Sequence, residues 1–145
     1  MTATHHHEHA IRQLLESLVG ALRAKDLDAV REIYAPDVVS FDVEPPLQHV
    51  GIDAKLRNWV RVFGTFATVD YELRDLALTV DDHVAFGHAF GRLGGTLTDG
   101  TPVRGAWVRG TFGLRRDDDR WLVAHDQVSV PVDVRTGAAA TDLEP

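Results

Sequence analysis

The stretch RWLVAHDQVSVPVD, residues 120–133, places polar side chains where a buried strand would continue with apolar ones. It opens with the apolar run Trp-Leu-Val and then carries His125, Asp126, Gln127 and Ser129. Imidazole and carboxylate groups are common general acids and bases in catalysis. One face of this strand therefore meets solvent, lines a pocket, or meets another subunit.

Strand periodicity divides this stretch into two faces, because successive side chains of a strand point to opposite sides. One face holds Leu122, Ala124, Asp126, Val128 and Val130, and the other holds Trp121, Val123, His125, Gln127 and Ser129. The first set is a pocket lining with one carboxylate, and the second set is amphipathic. We therefore predict Asp126 inside a pocket and a homodimer interface at Trp121, His125, Gln127 and Ser129. A strong β-bulge would reverse this assignment.

Three other side chains could move protons or bind anions. Asp42 would be a useful base if its strand were partly buried, and the alternative is a solvent-facing residue before a loop. His88 shares a strand face with Phe86 and Phe90, where it could act in a pocket or be an ordinary core histidine. Arg109 would need an anionic partner if it faced inward, and otherwise it stacks on outer tryptophans.

Apolar residues at helical spacing predict three helices in the first half of the chain. The first carries Ile11, Leu14, Leu15, Leu18, Val19 and Leu22; the second, capped by Asp26 and ended by Pro36, carries Val30, Ile33 and Tyr34; the third starts at Gly51 and Asp53 and carries Leu56, Trp59, Val60 and Phe63. A short strand at about Val38–Val43 and a Pro-Pro loop separate the last two helices.

Alternating residues predict about four long antiparallel strands in the second half, with a β-bulge near Arg74 and Asp75 and a turn at Asp99-Gly100. The predicted fold is α+β: a cone-shaped, curved antiparallel sheet of about 4–6 strands packed on three N-terminal helices. A single domain spans residues 1–145, with residues 1–8 and 134–145 as flexible tails.

The interior of such a cone is a pocket for a small hydrophobic organic molecule. Pocket contacts are predicted for Tyr34, His49, Trp59, Phe63, Phe86 and Phe90. Trp59 and Phe63 would form the roof and part of the core. His49 could gate the pocket mouth, and the alternative is a solvated loop histidine.

Composition excludes several other classes of partner. The formal net charge of −7 and the lack of a basic stripe argue against nucleic acid. No apolar run approaches a membrane span, so a cytoplasmic protein is expected. The chain has no cysteine. The histidines of HHHEH form a polar lead-in, and the remaining histidines lack metal-ligand spacing, so no metal is expected. No glycine-rich phosphate loop occurs, and no cofactor is expected.

Several segments together resemble the nuclear transport factor 2-like superfamily, and most closely its SnoaL-like and ketosteroid-isomerase-like members. They are ALRAKDLDAVREIYAPDVVSFD, HVGIDA before a helix, a late Arg-x-Thr strand, and WLVAHDQVS. The resemblance covers about Ala10 to Pro131. It implies the cone fold, which hosts isomerases, cyclases, dehydratases, epoxide hydrolases and non-catalytic binding or assembly domains.

The resemblance carries over to single residues only in part. Asp42 occupies the place of the general-base aspartate of the ketosteroid isomerases, whose oxyanion hole uses a tyrosine and a protonated aspartic acid. Leu18 stands at the tyrosine position, and the acid position falls at or near Arg109. Asp126 matches the acid/base aspartate that SnoaL-like cyclases carry on the last strand.

Two other members of the superfamily match less well. The epoxide-hydrolase-like members need an Arg-x-Asp pair, where this chain has Arg109 followed by glycine and Thr111. The dehydratases use paired pocket histidines, parts that His88 and His125 could play.

The resemblance implies a cofactor-independent isomerase, cyclase or dehydratase acting on a carbonyl or polyketide-like compound. In this hypothesis Asp42 or Asp126 moves a proton α to the carbonyl, and Arg109 or His88 stabilises the enolate. The alternatives are a non-catalytic ligand-binding domain and a dimeric assembly domain.

Overall fold

The computed structural model describes residues 2–145, over which three helices pack against one curved, open sheet of seven strands. The helices are α1 (Ala3–Ala24), α2 (Leu27–Ile33) and α3 (Ile52–Thr65). The strands are β1 (Tyr34–Phe41), β2 (His49–Val50), β3 (Phe66–Val80), β4 (Val84–Leu97), β5 (Pro102–Val103), β6 (Trp107–Asp117) and β7 (Arg120–Ser129). The predicted α+β cone is confirmed.

The strand order brings the first strand of the chain next to the last one. The sheet runs β2-β1-β7-β6-β4-β3, with β5 paired to β4. The four long strands β3, β4, β6 and β7 form an antiparallel meander, and β1 pairs with β7 in parallel. In that parallel register Ser40 lies beside Asp126, so the topology alone brings two polar residues together.

Among the register shifts that bend the sheet, two bear on the predictions. The predicted bulge in β3 is confirmed, because the register shifts between Arg74 and Ala77 and Asp75 adopts a φ of 58°. The second bulge was not predicted: Gly113 pairs with His125 and Leu114 pairs with Val123. Ala124 is therefore left without a partner on β6, and the side-chain alternation of β7 changes phase there.

The apolar stripe of α1 builds the core as predicted. Ile11, Leu15, Leu18 and Leu22 are all buried and pack with residues of the sheet. The helix begins earlier than expected, at Ala3 with Thr2 as its N-cap. The lead-in that we predicted to be flexible is therefore helical from Ala3 onward, and Met1 lies outside the described residues.

Two local expectations were wrong. Tyr34 opens β1 and does not end α2, because the chain is already extended there, ahead of Pro36. Val60 is 53% exposed and does not share the buried face of α3. The C-terminal segment makes one bridge, between Val132 and Ala139, and is otherwise mostly exposed, so its flexibility stays a prediction.

Candidate functional site

The cone encloses a cavity of about 500 Å³ between α1, α3 and the inner face of the sheet. Its lining is mostly apolar and includes Leu18 and Leu22 of α1, Trp59 of α3 and Val128 of β7. Small-molecule sites commonly have this size and character. A compound of small to moderate size with a large apolar part therefore fits this space.

Small residues on the strands make room for the cavity and for one tyrosine. Ala89, Gly91 and Gly110 all line it. A Cβ atom at Gly91 would lie 2.6 Å from the hydroxyl oxygen of Tyr71, which reaches across from β3. Glycine at this position therefore allows the Tyr71 side chain to enter the cavity.

A buried polar cluster forms one part of the wall. The Lys55 Nζ atom lies 2.9 Å from Asp126 Oδ2 and 2.9 Å from Ser40 Oγ, and the Ser40 hydroxyl donates to Asp126 Oδ1. Lys55, Asp126 and Ser40 are only 8%, 7% and 3% exposed. A buried ion pair gains stability only when its hydrogen bonds are satisfied. Ser40 helps to satisfy both charged groups here.

Each member of this cluster comes from a different element. The parallel pairing of β1 with β7 places Ser40 beside Asp126. The bulge at Ala124 turns Asp126 to the inner face, the same side as Val123 directly before the bulge. Lys55 lies in the first turns of α3, on the face that also carries Ile52 and Leu56. The cluster therefore joins α3 to the sheet at the cavity wall.

Both tyrosines of the chain line the cavity, and the negative charges of its carboxylates affect the pKa values of their hydroxyl groups. The Tyr34 ring lies 4.7 Å from Lys55 Nζ. Burial, and then the negative charge of Asp126, raises the pKa of the Tyr34 hydroxyl well above its usual value. The same two causes, with a smaller contribution from Asp42, raise the pKa of Tyr71 to about 12. Both hydroxyls are therefore neutral hydrogen-bond donors at physiological pH.

A second carboxylate, Asp42, lies at the mouth of the cavity at the end of a hydrogen-bonded chain. Asn58 donates to Asp42 Oδ2 at 2.6 Å, and the backbone N–H of Val43 donates to Oδ1 at 2.7 Å. Arg61 donates to Asn58 and to Glu44, each at 2.8 Å. These contacts fix the orientation of Asp42 from both α3 and the following loop.

Several predicted site residues do meet at this cavity. Asp42, Asp126, Tyr34 and Trp59 all line it. Phe63 is buried in the core behind Trp59, with ring centroids 5.4 Å apart.

His49 lies to one side, in a shallower depression beside the mouth. That depression is formed by the Pro45-Pro46 loop and the α3 residues Arg57 and Arg61. His49 is therefore near the entrance but outside the main cavity.

Four other predicted residues lie on the outer face of the sheet, and their placement in the pocket was wrong. On β4 the inward positions belong to Ala85, Gly87, Ala89 and Gly91, so His88, Phe86 and Phe90 point outward. On β6 Arg109 is exposed, and its Nε donates to Ser129 Oγ at 3.2 Å. Neither His88 nor Arg109 can stabilise an enolate inside the cone.

The predicted outer face of β7 needs one correction. Trp121 is only 5% exposed, belongs to the core, and donates from Nε1 to His7 Nδ1 at 3.2 Å. It faces inward because the bulge at Ala124 reverses the alternation. His125 does lie on the outer face, where its ring packs edge-on against Phe41. Its interface role, and those of Gln127 and Ser129, stay predictions.

The sequence reasoning missed Lys55, Ser40, Tyr71 and Asn58. A signal for Lys55 was present, because its spacing of three and four residues from Ile52 and Trp59 puts a charged residue in the apolar stripe of α3. The other three depend on strand pairing and on the path of the loop, which residue spacing does not reveal.

Over residues 2–145 we find no group of three or more histidine or acidic side chains placed to hold a metal ion. Within the same residues, every helix is too short or too polar to cross a membrane.

Fold and site together define a class: small α+β cone proteins with a mostly apolar cavity. The profile of the SnoaL-like domain family matches residues 11–133, and the chain belongs to this family. The predicted membership of the nuclear transport factor 2-like superfamily is thereby confirmed. A search of curated proteins found no match.

Solved structures agree with this assignment. An NTF2-like protein of unknown function from Pseudomonas putida KT2440 is 32% identical, with a TM-score of 0.82 over 93% of this chain and 94% of that one. An NTF2-like superfamily protein from Salmonella enterica serovar Typhimurium LT2 is 14% identical, with a TM-score of 0.81 over 95% and 100%. A ketosteroid isomerase-like protein from Erwinia carotovora atroseptica SCRI1043 is 23% identical, with a TM-score of 0.68 over 83% and 92%. The last two likenesses concern the fold alone.

Proposed function

We propose that the protein binds a small, largely apolar carbonyl compound in its cone and moves a proton at the carbon next to the carbonyl. The observation that carries this proposal is the buried Lys55–Asp126–Ser40 cluster in the wall of an apolar cavity that also holds Asp42. Buried charged groups in a cleft are typical of functional sites.

The roles follow from the positions of these groups. Asp42 is oriented by Asn58 and can accept the proton from the substrate carbon. The Lys55 ammonium group and the neutral Tyr71 hydroxyl can donate hydrogen bonds to the oxygen on which negative charge develops. Asp126 holds Lys55 in place and balances its charge.

The proposal replaces the sequence-based assignment of the enolate-stabilising groups. Arg109 and His88 lie on the outer face, and Lys55 takes their place from α3. Asp42 and Asp126, the two alternatives that the sequence offered for the proton transfer, both line the cavity.

Deuterium incorporation from D₂O into 2-tetralone, followed by NMR, tests this function. This bicyclic ketone is apolar and has exchangeable protons next to its carbonyl. We expect Asp42→Asn to slow the protein-catalysed exchange by about 10²-fold or more, because general base catalysis contributes on this order. Asp53→Asn is the matched control, since Asp53 is an exposed carboxylate of α3 that pairs with Arg31. Unchanged exchange in both Asp42→Asn and Asp126→Asn would refute the proposal.

A second candidate function is ligand binding without chemistry. One observation favours it: the two carboxylates proposed for the chemistry already have partners, Asp42 with Asn58 and Asp126 with Lys55 and Ser40. In this case 2-tetralone or a similar ketone would quench the fluorescence of Trp59 in the cavity wall, but the protein would not accelerate deuterium exchange.

For the outer face of the sheet, we propose contact with a second copy of the chain. Apolar residues there, Phe86, Val84 and Val50, are more than half exposed and lie on the same face as His125 and Gln127. Phe86→Glu should shift the sedimentation coefficient from dimer to monomer at micromolar concentration. Val134→Glu is the control, since Val134 is exposed outside the sheet. A wild-type protein that sediments as a monomer would contradict the proposal.

A further inference from the structure

We propose that Lys55 is an amine nucleophile that forms an imine with the carbonyl ligand of the cavity. The inference rests on the proposed function for the class of ligand, and it assigns Lys55 a covalent role beyond charge stabilisation.

The composition of the chain makes a lysine at this position unusual. The sequence has two lysines, Lys25 and Lys55, and its other thirteen basic side chains are arginines. Arginine matches a carboxylate with two parallel hydrogen bonds and is well suited to a buried ion pair. Only an amine can lose its proton and attack a carbonyl carbon. A purely structural partner for Asp126 would not need this property.

The surroundings of Lys55 suit an imine. Its Nζ atom lies at the wall of the cavity, among apolar and aromatic residues, and is held over the Tyr34 ring. Lys55 is only 8% exposed, and limited access of water slows the hydrolysis of a reactive intermediate. Lys25, in contrast, lies outside the cavity lining, and its Nζ donates to the backbone carbonyl of Phe66.

The contacts of Nζ supply the proton transfers that imine formation requires. Asp126 Oδ2, at 2.9 Å, can take a proton from the ammonium group and leave a neutral amine. The nitrogen lone pair then forms the C–N bond, and the carbonyl π electrons move to oxygen, which receives the proton back from Asp126. The nitrogen gives up a second proton to Asp126, directly or through the Ser40 hydroxyl. The oxygen leaves as water with that proton. The balance is one carbonyl and one ammonium group giving one protonated imine and one water, with Asp126 returned to its starting form.

An imine would make the proposed proton transfer easier. A protonated imine withdraws electrons more strongly than a ketone, so the adjacent C–H becomes more acidic. Asp42, in the same cavity, would then remove this proton.

Reductive trapping of the full chain tests the inference. The protein is incubated with 2-tetralone and sodium cyanoborohydride, which reduces an imine to a stable secondary amine, and the label is located by peptide mass spectrometry. We expect the label on Lys55, at a rate at least tenfold above that of Lys25. Lys25→Arg should keep this labelling, and Lys55→Arg, which preserves the charge, should abolish it. Label confined to Lys25 or to the terminal amine of the wild-type protein would overturn the inference without any variant.

The deuterium-exchange experiment separates this inference from the proposed function. If Lys55→Arg keeps the exchange of 2-tetralone and wild-type Lys55 takes no label, the imine is wrong and the acid–base function stands. If Lys55 takes the label but the protein does not accelerate exchange, the imine stands and the proposed proton transfer is wrong.

Discussion

The inner and outer faces of one strand, β4, carry opposite kinds of residue. Its inward positions are occupied by alanine and glycine, at Ala85, Gly87, Ala89 and Gly91, and all four are buried. The outward positions carry larger and more reactive side chains, such as His88 and Phe86, and both of these are exposed. On β6 the inward Gly110 likewise alternates with the outward Arg109.

The inner face of the sheet leaves space for the cavity, and the outer face carries the larger and more reactive side chains. The strands contribute small residues to the interior, so that groups from other elements can enter it: Lys55 from α3, Tyr71 from the edge strand and Asp126 from β7. Reactive side chains on the outer face point away from the cavity, and an exposed histidine or arginine is ordinary there. The type of a residue is therefore less informative here than the face on which it lies.

The largest expected effect is on the free energy of unfolding, and it distinguishes a buried charged residue, Lys55, from an exposed one, Arg109. Lys55→Met should lower the free energy of unfolding by about 3–5 kcal/mol, because it leaves the buried Asp126 carboxylate without a countercharge. Arg109→Met on the outer face should change it by less than about 0.5 kcal/mol. Urea unfolding followed by circular dichroism measures both.

The double variant Lys55→Met/Asp126→Leu sharpens this test. Removing both charges should recover most of the loss, because apolar residues can replace a buried ion pair at little cost. A loss below about 1 kcal/mol for Lys55→Met alone would mean that water reaches Asp126 and that the cluster is not closed.

The next prediction concerns alkaline pH. Because the pKa of Tyr71 is raised from 10.0 to about 12 in the folded protein, its contribution to stability is fully present below pH 10 and is lost as the pH rises toward 12. This pKa shift corresponds to about 2–3 kcal/mol of the free energy of unfolding. Urea unfolding at about pH 9 and about pH 11.5 should show a smaller loss in Tyr71→Phe than in the wild type.

Tyrosinate absorbance gives an independent check, because Tyr34 and Tyr71 are the two tyrosines of the chain. In Tyr34→Phe a single titration should remain, with a midpoint near pH 12. A midpoint near the usual value of 10 would contradict the burial of Tyr71 in the cavity.

Glycines on the two faces should respond differently to a methyl group. Gly91→Ala should lower the free energy of unfolding by about 1–3 kcal/mol, because its Cβ would lie 2.6 Å from the Tyr71 hydroxyl oxygen. Gly113→Ala is the matched control on β6, where the nearest atom is an ordinary 3.7 Å away. In a Tyr71→Phe background the cost of Gly91→Ala should fall, and an unchanged cost would show that another contact is responsible.

The smallest expected effect is that of His88. His88→Ala should change the dissociation constant of 2-tetralone, read from protein fluorescence, by no more than about twofold, because His88 does not line the cavity. A tenfold increase in this dissociation constant would mean that a change on the outer face of the sheet alters ligand binding in the cavity.

Much of the fold could be predicted from residue patterns, because those patterns report local geometry. The stripe of α1, the four long strands, the bulge at Asp75 and the turn at Asp99-Gly100 each leave a signal within a few residues. Asp42 and Asp126 could also be placed in the cavity, since a lone carboxylate on an otherwise apolar face, or at a position shared with relatives, is visible in the chain.

The other wrong predictions have one cause: alternation along a strand shows that side chains point to two faces, but it does not show which face points into the cone. A strand pattern on β4 and β6 has two possible orientations, and the presence of His88 and Arg109 favoured the wrong one. On β7 the bulge at Ala124 changes the phase within the strand, so Trp121 and Asp126 both face inward although their spacing places them on opposite faces.

The sequence by itself determined the elements, the class of fold and the scarcity of lysine, because these depend on composition and on spacing along the chain. Only the tertiary structure decided which residues form the site. The parallel pairing of β1 with β7 and the packing of α3 bring together Ser40, Lys55 and Asp126, and residues 15 and 71 positions apart in the chain meet through contacts that no local pattern records.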